Sequence, residues 1–313
     1  MRNQNINRSI FIKISLVIAL SSLIFALEVP NNHIVNTNWL EKNINNKNLV
    51  IIDTRKNDDY KKAHIQGAIN YPKKSWFQGK LGNVPKELNT PEQIETMMQN
   101  AGITQNSIII FYSAGKQNKD FSDAASGIWN TWIYGIKNTA ILDGGFKKWQ
   151  ILNKPTTTKL PHITKSDFEI ETFNKTAVAS IYDITEAIYN DDIQITDARV
   201  NKFYMGEDNR KDLSRHGRIP TAKLTPVIRY TKQTNQYFEF ISKQEAIKTL
   251  NNNGYGVELD KPLIIYCNTG HKARGLWFIS KFIIGMKDVK VYDGGIIEYS
   301  KSAMPMETGE SMD

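Results

Sequence analysis

A chain of 313 residues is longer than one hydrophobic core usually organises, so two domains are the default. Its hydrophobic, aromatic and charged fractions of 40%, 10% and 23% are those of a globular protein and argue against disorder. The net charge of +8 includes Arg2, Arg8 and Lys13, which leaves an excess of about five elsewhere; with no basic block and no recognition motif, nucleic acid is not expected as a partner.

Residues 1–26 read as an export signal. Arg2, Arg8 and Lys13 form a positive start, and Ile14 to Ala26 is an uncharged apolar run too short to span a bilayer comfortably. Cleavage after Ala26 fits, although Ile24 is bulkier than the small residue usually found there; an uncleaved anchor is the alternative. No cysteine lies nearby to take a lipid. Either way the folded part is expected outside the cytoplasm, in a bacterial periplasm, without stable membrane insertion once the signal is removed. The chain has one cysteine, Cys267, so an exported protein would hold its cores without an internal disulfide and keep a free thiol in an oxidising compartment.

From residue 27 onward short strands alternate with helices. Strands are predicted near 49–53, 108–112 and 139–142, and helices near 36–45, 91–101 and 121–134. Lys154-Pro-Thr-Thr-Thr-Lys-Leu-Pro161 is rich in breakers and opens a linker over 154–176. Beyond it, strands near 193–197, 262–266 and 289–292 and helices near 180–189, 243–253 and 273–284 repeat the pattern, and the tail from Met304 reads as frayed. The division is therefore 27–153 for one domain and 177–313 for a second, each an α/β unit with a mainly parallel sheet flanked by helices on both faces.

The two halves also match residue by residue. Asn48-Leu-Val-Ile-Ile-Asp-Thr-Arg55 pairs with Asp192-Ile-Gln-Ile-Thr-Asp-Ala-Arg199, and His64-Ile-Gln-Gly-Ala-Ile69 with Arg218-Ile-Pro-Thr-Ala-Lys223. Ile108-Ile-Ile-Phe-Tyr-Ser-Ala-Gly115 pairs with Leu263-Ile-Ile-Tyr-Cys-Asn-Thr-Gly270, and Ile141-Leu-Asp-Gly-Gly-Phe146 with Val291-Tyr-Asp-Gly-Gly-Ile296. With the loop glycines in register, Tyr112 stands where the second half has Cys267. The first half then keeps the scaffold and lacks the thiol.

Cys267 falls at the tip of a strand–loop–helix turn, where ligands of parallel sheets bind. Loop N–H groups and the positive end of a helix lower a thiol's pKa and cradle an anion. The bland alternative is a buried cysteine acting as a small hydrophobe. Asp143-Gly144-Gly145 and Asp293-Gly294-Gly295 read as turns whose glycines take positive φ. Trp129, Trp132 and Trp149 read as core or domain-interface aromatics, and His216 as a loop residue.

Together the two Asp-x-Arg segments, Gly217-Arg-Ile-Pro220, the paired Asp-Gly-Gly turns and Tyr266-Cys-x-x-Gly270 resemble the tandem-domain rhodanese family, which includes thiosulfate and 3-mercaptopyruvate sulfurtransferases. The resemblance implies a non-catalytic first domain and a catalytic second one. It implies that the Cys267 thiolate takes the outer sulfur of a donor as a persulfide and passes it to cyanide or a thiol acceptor. It further implies substrate contacts from Asn268, Thr269, Gly270, His271 and Lys272, whose N–H groups ring the sulfur, with Gly270 letting the loop curl. Asp197 and Arg199 would support the loop, and Arg218 would either reach the site or be a surface charge. Its partners are a small sulfur donor and a thiophilic acceptor, with no metal or organic cofactor, and a monomer is the default.

The loop departs from the family's usual patterns. Thiosulfate enzymes often carry Arg-Lys directly after the cysteine and an arginine four residues beyond the Asp-x-Arg segment; here those places hold Asn268-Thr269 and Phe203, beside Lys202. Lys272, with His271, is expected to supply the positive field instead, the alternative being a solvent-facing Lys272 that tops the helix. Phosphatase chemistry on a related scaffold needs an arginine at the position of Ala273, and Arg274 comes one place too late. A persulfide carrier that hands its sulfur to a partner protein is the remaining alternative.

Overall fold

The computed structural model describes residues 27–81, 84–208, 210–251 and 256–309; the export reading of residues 1–26 lies outside them. Two five-stranded sheets dominate. The first runs in the order Ile34–Val35, Thr139–Leu142, Ile108–Tyr112, Leu49–Asp53, Ile69–Asn70; the second runs Val178–Ala179, Val289–Tyr292, Leu263–Tyr266, Gln194–Asp197, Lys223–Leu224. Every neighbouring pair in both is parallel. The central strands Ile108–Tyr112 and Leu263–Tyr266 are buried at every residue, as continuous apolar runs covered on both faces must be.

The predicted helices form within one to three residues of their expected ends, and local capping explains several starts. Thr90 caps Pro91–Asn100 through a capping box with Gln93, and Ser180 caps Ile181–Ile188 with Asp183. The helix expected over 273–284 starts two residues earlier, at His271, and turns π-helical from Ile279 to Ile284 before Gly285 ends it. Short helices at Asn57–Lys62, Gly145–Ile151, Asn201–Tyr204 and Gly295–Tyr299 had no strong apolar period to announce them. Of the turn glycines, Gly144, Gly145 and Gly295 take positive φ, whereas Gly294 is an ordinary helical residue at φ −60.

One apolar core runs through both domains. It joins Trp76, Ile94, Ile128 and Trp129 of the first to Val227, Leu276, Trp277 and Phe278 of the second. Fully burying such a side chain stabilises by about 1.5–3 kcal/mol. At its centre Phe121–Ile133 packs against His271–Phe278, closely enough that a Cβ on Gly275 would collide with Ser122 Oγ. Trp129 and Trp149 are core, and Trp132 lies edge-on to Trp277 at 6.2 Å across the domain boundary.

Each domain also reaches over the other. A hairpin of Gly79–Leu81 with Val84–Glu87 precedes Leu88, whose N–H donates to Asp293 Oδ2 at 2.5 Å. A hairpin of Thr231–Thr234 with Tyr237–Phe240 ends at Phe240, whose N–H donates to Asp143 Oδ1 at 3.0 Å. The aspartates of the two Asp-Gly-Gly turns are thus reciprocal anchor points.

The segments that follow each domain are less free than their composition suggested. Thr156–Thr157 pairs antiparallel with His64–Ile65, and the chain then bonds along the 91–100 helix through Gln99 to Phe168 O and Ile103 O to Ser166. The tail from Met304 is not frayed within the described residues: Glu307 bridges Arg218, and Gly309 N–H bonds Met205 O. That contact also settles Arg218, which neither reaches the active loop nor lies on the surface. It is 4% exposed, bonds Glu307 and Gly309 O, and stacks 4.4 Å over Tyr204. His216 is a loop residue, 3.3 Å from Asp208.

Candidate active site

The site begins where Gln194–Asp197 and Leu263–Tyr266 end side by side, with Asp197 opposite Tyr266. Arg199 folds back so that Nε lies 2.9 Å from both Asp197 oxygens and Nη2 lies 2.6 Å from Oδ2. Its remaining donors reach Gly217 O at 2.7 Å and Asn268 Oδ1 at 3.3 Å. Both partners of this pair are fully buried. Burial opposes the guanidinium's charge, but Asp197 outweighs it and raises the pKa above its ordinary range. Asp197 and Arg199 therefore brace the loop from behind, and Asn268 is the residue they hold.

The same brace exists in the first domain and fixes the correspondence between the halves. Asp53 pairs with Arg55 at 2.5 Å, and Tyr112 Oη donates to Asp53 Oδ2 at 2.5 Å. Tyr112 Oη accepts from Ile65 N–H at 3.3 Å just as Tyr266 Oη accepts from Ile219 N–H at 3.2 Å. Phe146 N–H bonds Ser113 O as Ile296 N–H bonds Cys267 O. Tyr112 thus corresponds to Tyr266, and Ser113, not Tyr112, stands at the place of Cys267. Aligning the glycines hid this, because the first loop (Ser113 to Gly115) is one residue shorter than the second (Cys267 to Gly270) and the strand slipped by one to compensate.

Cys267 is 2% exposed. Beyond it Gly270 takes φ +75, and a Cβ there would collide with Asp293 Oδ1, so a glycine is needed for both conformation and space. The next residue starts the His271–Phe278 helix. No hydrogen bond runs from the N–H groups of Asn268, Thr269, Gly270, His271 or Lys272 to any described residue. Five unspent donors on a loop that leads into a helix N-terminus suit an anion.

His271 and Lys272 face different surroundings. His271 Nε2 lies 2.7 Å from Asp123 Oδ1, and Nδ1 lies 3.1 Å from Lys73 Nζ, both in the first domain. With Lys73 donating to Nδ1, the ring proton sits on Nε2 and the imidazole is neutral. Burial lowers its pKa despite Asp123. Lys272 is half-buried, and its ammonium has no ion-pair or hydrogen-bond partner among the described residues. Burial lowers its pKa too, while the charge of Cys267 works the other way. It is therefore not a solvent-facing cap.

Sequence reasoning missed Arg274 and Asp293 as neighbours of this loop. Arg274 is fully buried, donates from Nη2 to Asp293 Oδ1 at 2.6 Å and from Nη1 to Trp76 O at 2.7 Å. The only signal was an arginine inside the apolar run Ala273 to Phe278, which on a helix usually means a solvent face. A cleft of about 860 Å³ opens onto the loop at Thr269 and His271, and Lys73, Lys74, Phe77 and Asp123 line its far wall. Most of its lining, Thr54 to Asp59 included, comes from the first domain, and Cys267 is not part of it.

The pattern that defines the Rhodanese-like domain matches residues 36–152 and again 181–302. This chain belongs to the rhodanese family. Its relatives include a protein of Synechococcus elongatus provisionally named a thiosulfate sulfurtransferase, 28% identical over 87% of this chain and 83% of that one. Another, of Thermus thermophilus, is named the sulfur carrier protein TtuD and is 25% identical over 88% and 97% of the two chains. Among solved structures, Escherichia coli SseA, described as a 3-mercaptopyruvate sulfotransferase with the rhodanese fold, superimposes with a TM-score of 0.73 at 25% identity, covering 84% of this chain and 98% of its own.

As a tandem rhodanese, the chain is a sulfurtransferase whose two domains share one fold. Only the second carries a thiol at the loop. Phe203, in the place where the family often has an arginine, lies on the Asn201–Tyr204 helix beneath Lys202, whose ammonium is 5.1 Å from its ring. Lys272 and the first domain's Lys73 and Lys119 are ammonium groups that the fold brings toward the loop.

Proposed function

We propose that this protein moves the outer sulfur of thiosulfate to cyanide or a thiol through a persulfide on Cys267. The observation that carries the reading is the near-buried thiol at the end of Leu263–Tyr266, followed by a loop with five uncommitted N–H groups. The thiolate attacks the sulfane sulfur of the donor, the sulfur–sulfur bond of thiosulfate breaks, and sulfite departs with the electron pair. The negative charge on the new outer sulfur lies among the loop N–H groups, which are already oriented and need no reorganisation. An acceptor nucleophile then attacks that outer sulfur, and Cys267 leaves as the thiolate, ready for another donor.

Asn268, Thr269, Gly270, His271 and Lys272 form the substrate pocket in this account, with Lys272 supplying charge for a dianionic donor. Likeness to SseA supports 3-mercaptopyruvate as a second donor reading. Likeness to TtuD supports delivery of the sulfur to a protein partner instead of a small acceptor. The leader-like residues 1–26 support a site of action outside the cytoplasm, in a periplasm, and the protein acts as a monomer. Among the described residues no helix is long and apolar enough to cross a membrane.

Mass spectrometry of the intact chain after incubation with thiosulfate tests the reading. A gain of one sulfur atom that disappears in Cys267→Ser supports it. A gain with 3-mercaptopyruvate and none with thiosulfate would replace the donor, and no gain with either would overturn the persulfide.

A further inference from the structure

We infer that Arg274 is a positioning residue of the active loop, a buried cation that favours the anionic forms of Cys267 and that the first domain holds in place. The inference rests on the sulfurtransferase reading and adds a role that the loop itself does not explain.

Arg274 is the fourth residue after Gly270, and its own N–H bonds Gly270 O at 2.9 Å. Its guanidinium reaches across the domain boundary while keeping its bond to Asp293. It lies between two aromatic faces of the first domain, 4.1 Å from the Phe77 ring and 4.3 Å from the Trp129 ring, and donates to Trp76 O. Such a socket holds a delocalised planar cation better than it would hold a lysine. The matching stretch of the first half reads Ser126-Gly127-Ile128-Trp129 against Arg274-Gly275-Leu276-Trp277, so the cation appears only in the half with the thiol.

Its hydrogen bonds are incompletely made, although Asp293 and Glu87 both act on its charge. Asp293 is its ion-pair partner, and that carboxylate also accepts Leu88 N–H from the first domain. Arg274 Nε has no hydrogen-bond partner and is buried. It lies 3.5 Å from the point a Cβ on Gly270 would occupy, next to Asp293. A buried donor left unmade is costly, more so on a charged group. The negative group that the catalytic cycle creates in this loop is the thiolate, and later the persulfide, of Cys267. Burial lowers the guanidinium's own pKa, Asp293 opposes that, and the charge of Cys267 acts in the same direction as Asp293.

The full chain with Arg274→Gln, Arg274→Ser and Arg274→Lys tests this through the pH profile of Cys267 alkylation by iodoacetamide, alongside thermal unfolding. The midpoint is expected to rise by about one pH unit in the two neutral variants, while Arg274→Lys stays closer to wild type. Folded neutral variants with an unmoved midpoint would reduce Arg274 to a domain lock and overturn the inference. Should neither neutral variant fold, Arg274→Lys decides alone, since a rise as large as a full unit with the charge retained would contradict it. Alkylation reads the thiol and not sulfur transfer, so a wild type that forms no persulfide would overturn the proposed reaction without touching this result.

Discussion

Asp123 of the first domain stands 2.7 Å from Nε2 of His271, the residue that opens the helix behind the catalytic loop. The contact links the first domain directly to the site, and Lys73 closes it from the other ring nitrogen. Burial of the ring, which Asp123 only partly offsets, makes the junction sensitive to acid.

Burial depresses the folded-state pKa of His271 below its ordinary value of 6.5. Between the folded and unfolded values the unfolded chain binds more protons, so stability rises with pH across that window. The contribution of the neutral ring is complete above about pH 6.5 and falls as pH drops through the unfolded value toward the folded one. Urea unfolding of the wild type at pH 7.5 and 5.5 should show this loss, and His271→Gln should reduce it. Equal pH slopes in the two proteins would contradict the assignment.

Lys272→Ala should lower kcat/KM for thiosulfate by about tenfold, the effect of losing one partly desolvated charge contact worth roughly 1.4 kcal/mol. The loss should be smaller for a donor with a single negative charge. Steady-state kinetics with both donors checks it, and an unchanged thiosulfate efficiency would leave Lys272 without a role in binding.

Ser113→Cys places a thiol at the position matching Cys267, behind an equivalent Asp53–Arg55 brace. In a Cys267→Ser background it should remain inactive, because the loop from Ser113 to Gly115 is a residue too short to ring a sulfur as Cys267 to Gly270 does. Restored turnover would mean that the thiol alone makes the site.

Arg199→Met leaves Asp197 as an unpaired buried carboxylate, which costs about 3–5 kcal/mol. Asn268 also loses its Arg199 contact. Chemical denaturation should report the destabilisation, and activity measured where the variant is still folded should fall as well. A variant as stable as the wild type would remove the brace from the account.

Much of this architecture was legible because it was written twice. The strands at 49–53, 108–112, 139–142 and 289–292 form where the apolar runs and the repeat put them. Edge strands of two residues, such as Ile69–Asn70 and Lys223–Leu224, carry too little pattern to be read and exist only through their neighbours. The slip at Tyr112 came from trusting the glycines over the tyrosine, whose buried hydroxyl is the part that pairs with the Asp-x-Arg segment. Arg218 was left between the site and the surface, and Arg274 was passed over, for a common reason. An arginine in sequence reads as surface, while the Glu307 strand that covers one and the Phe77–Trp129 socket that holds the other lie far away along the chain.

The central claim is that Cys267 carries sulfur between a small donor and an acceptor. Thiocyanate formation from thiosulfate and cyanide, measured for the purified protein beside Cys267→Ser, tests it most directly. The account predicts turnover in the wild type and none in the variant. Turnover that survives in Cys267→Ser would contradict it.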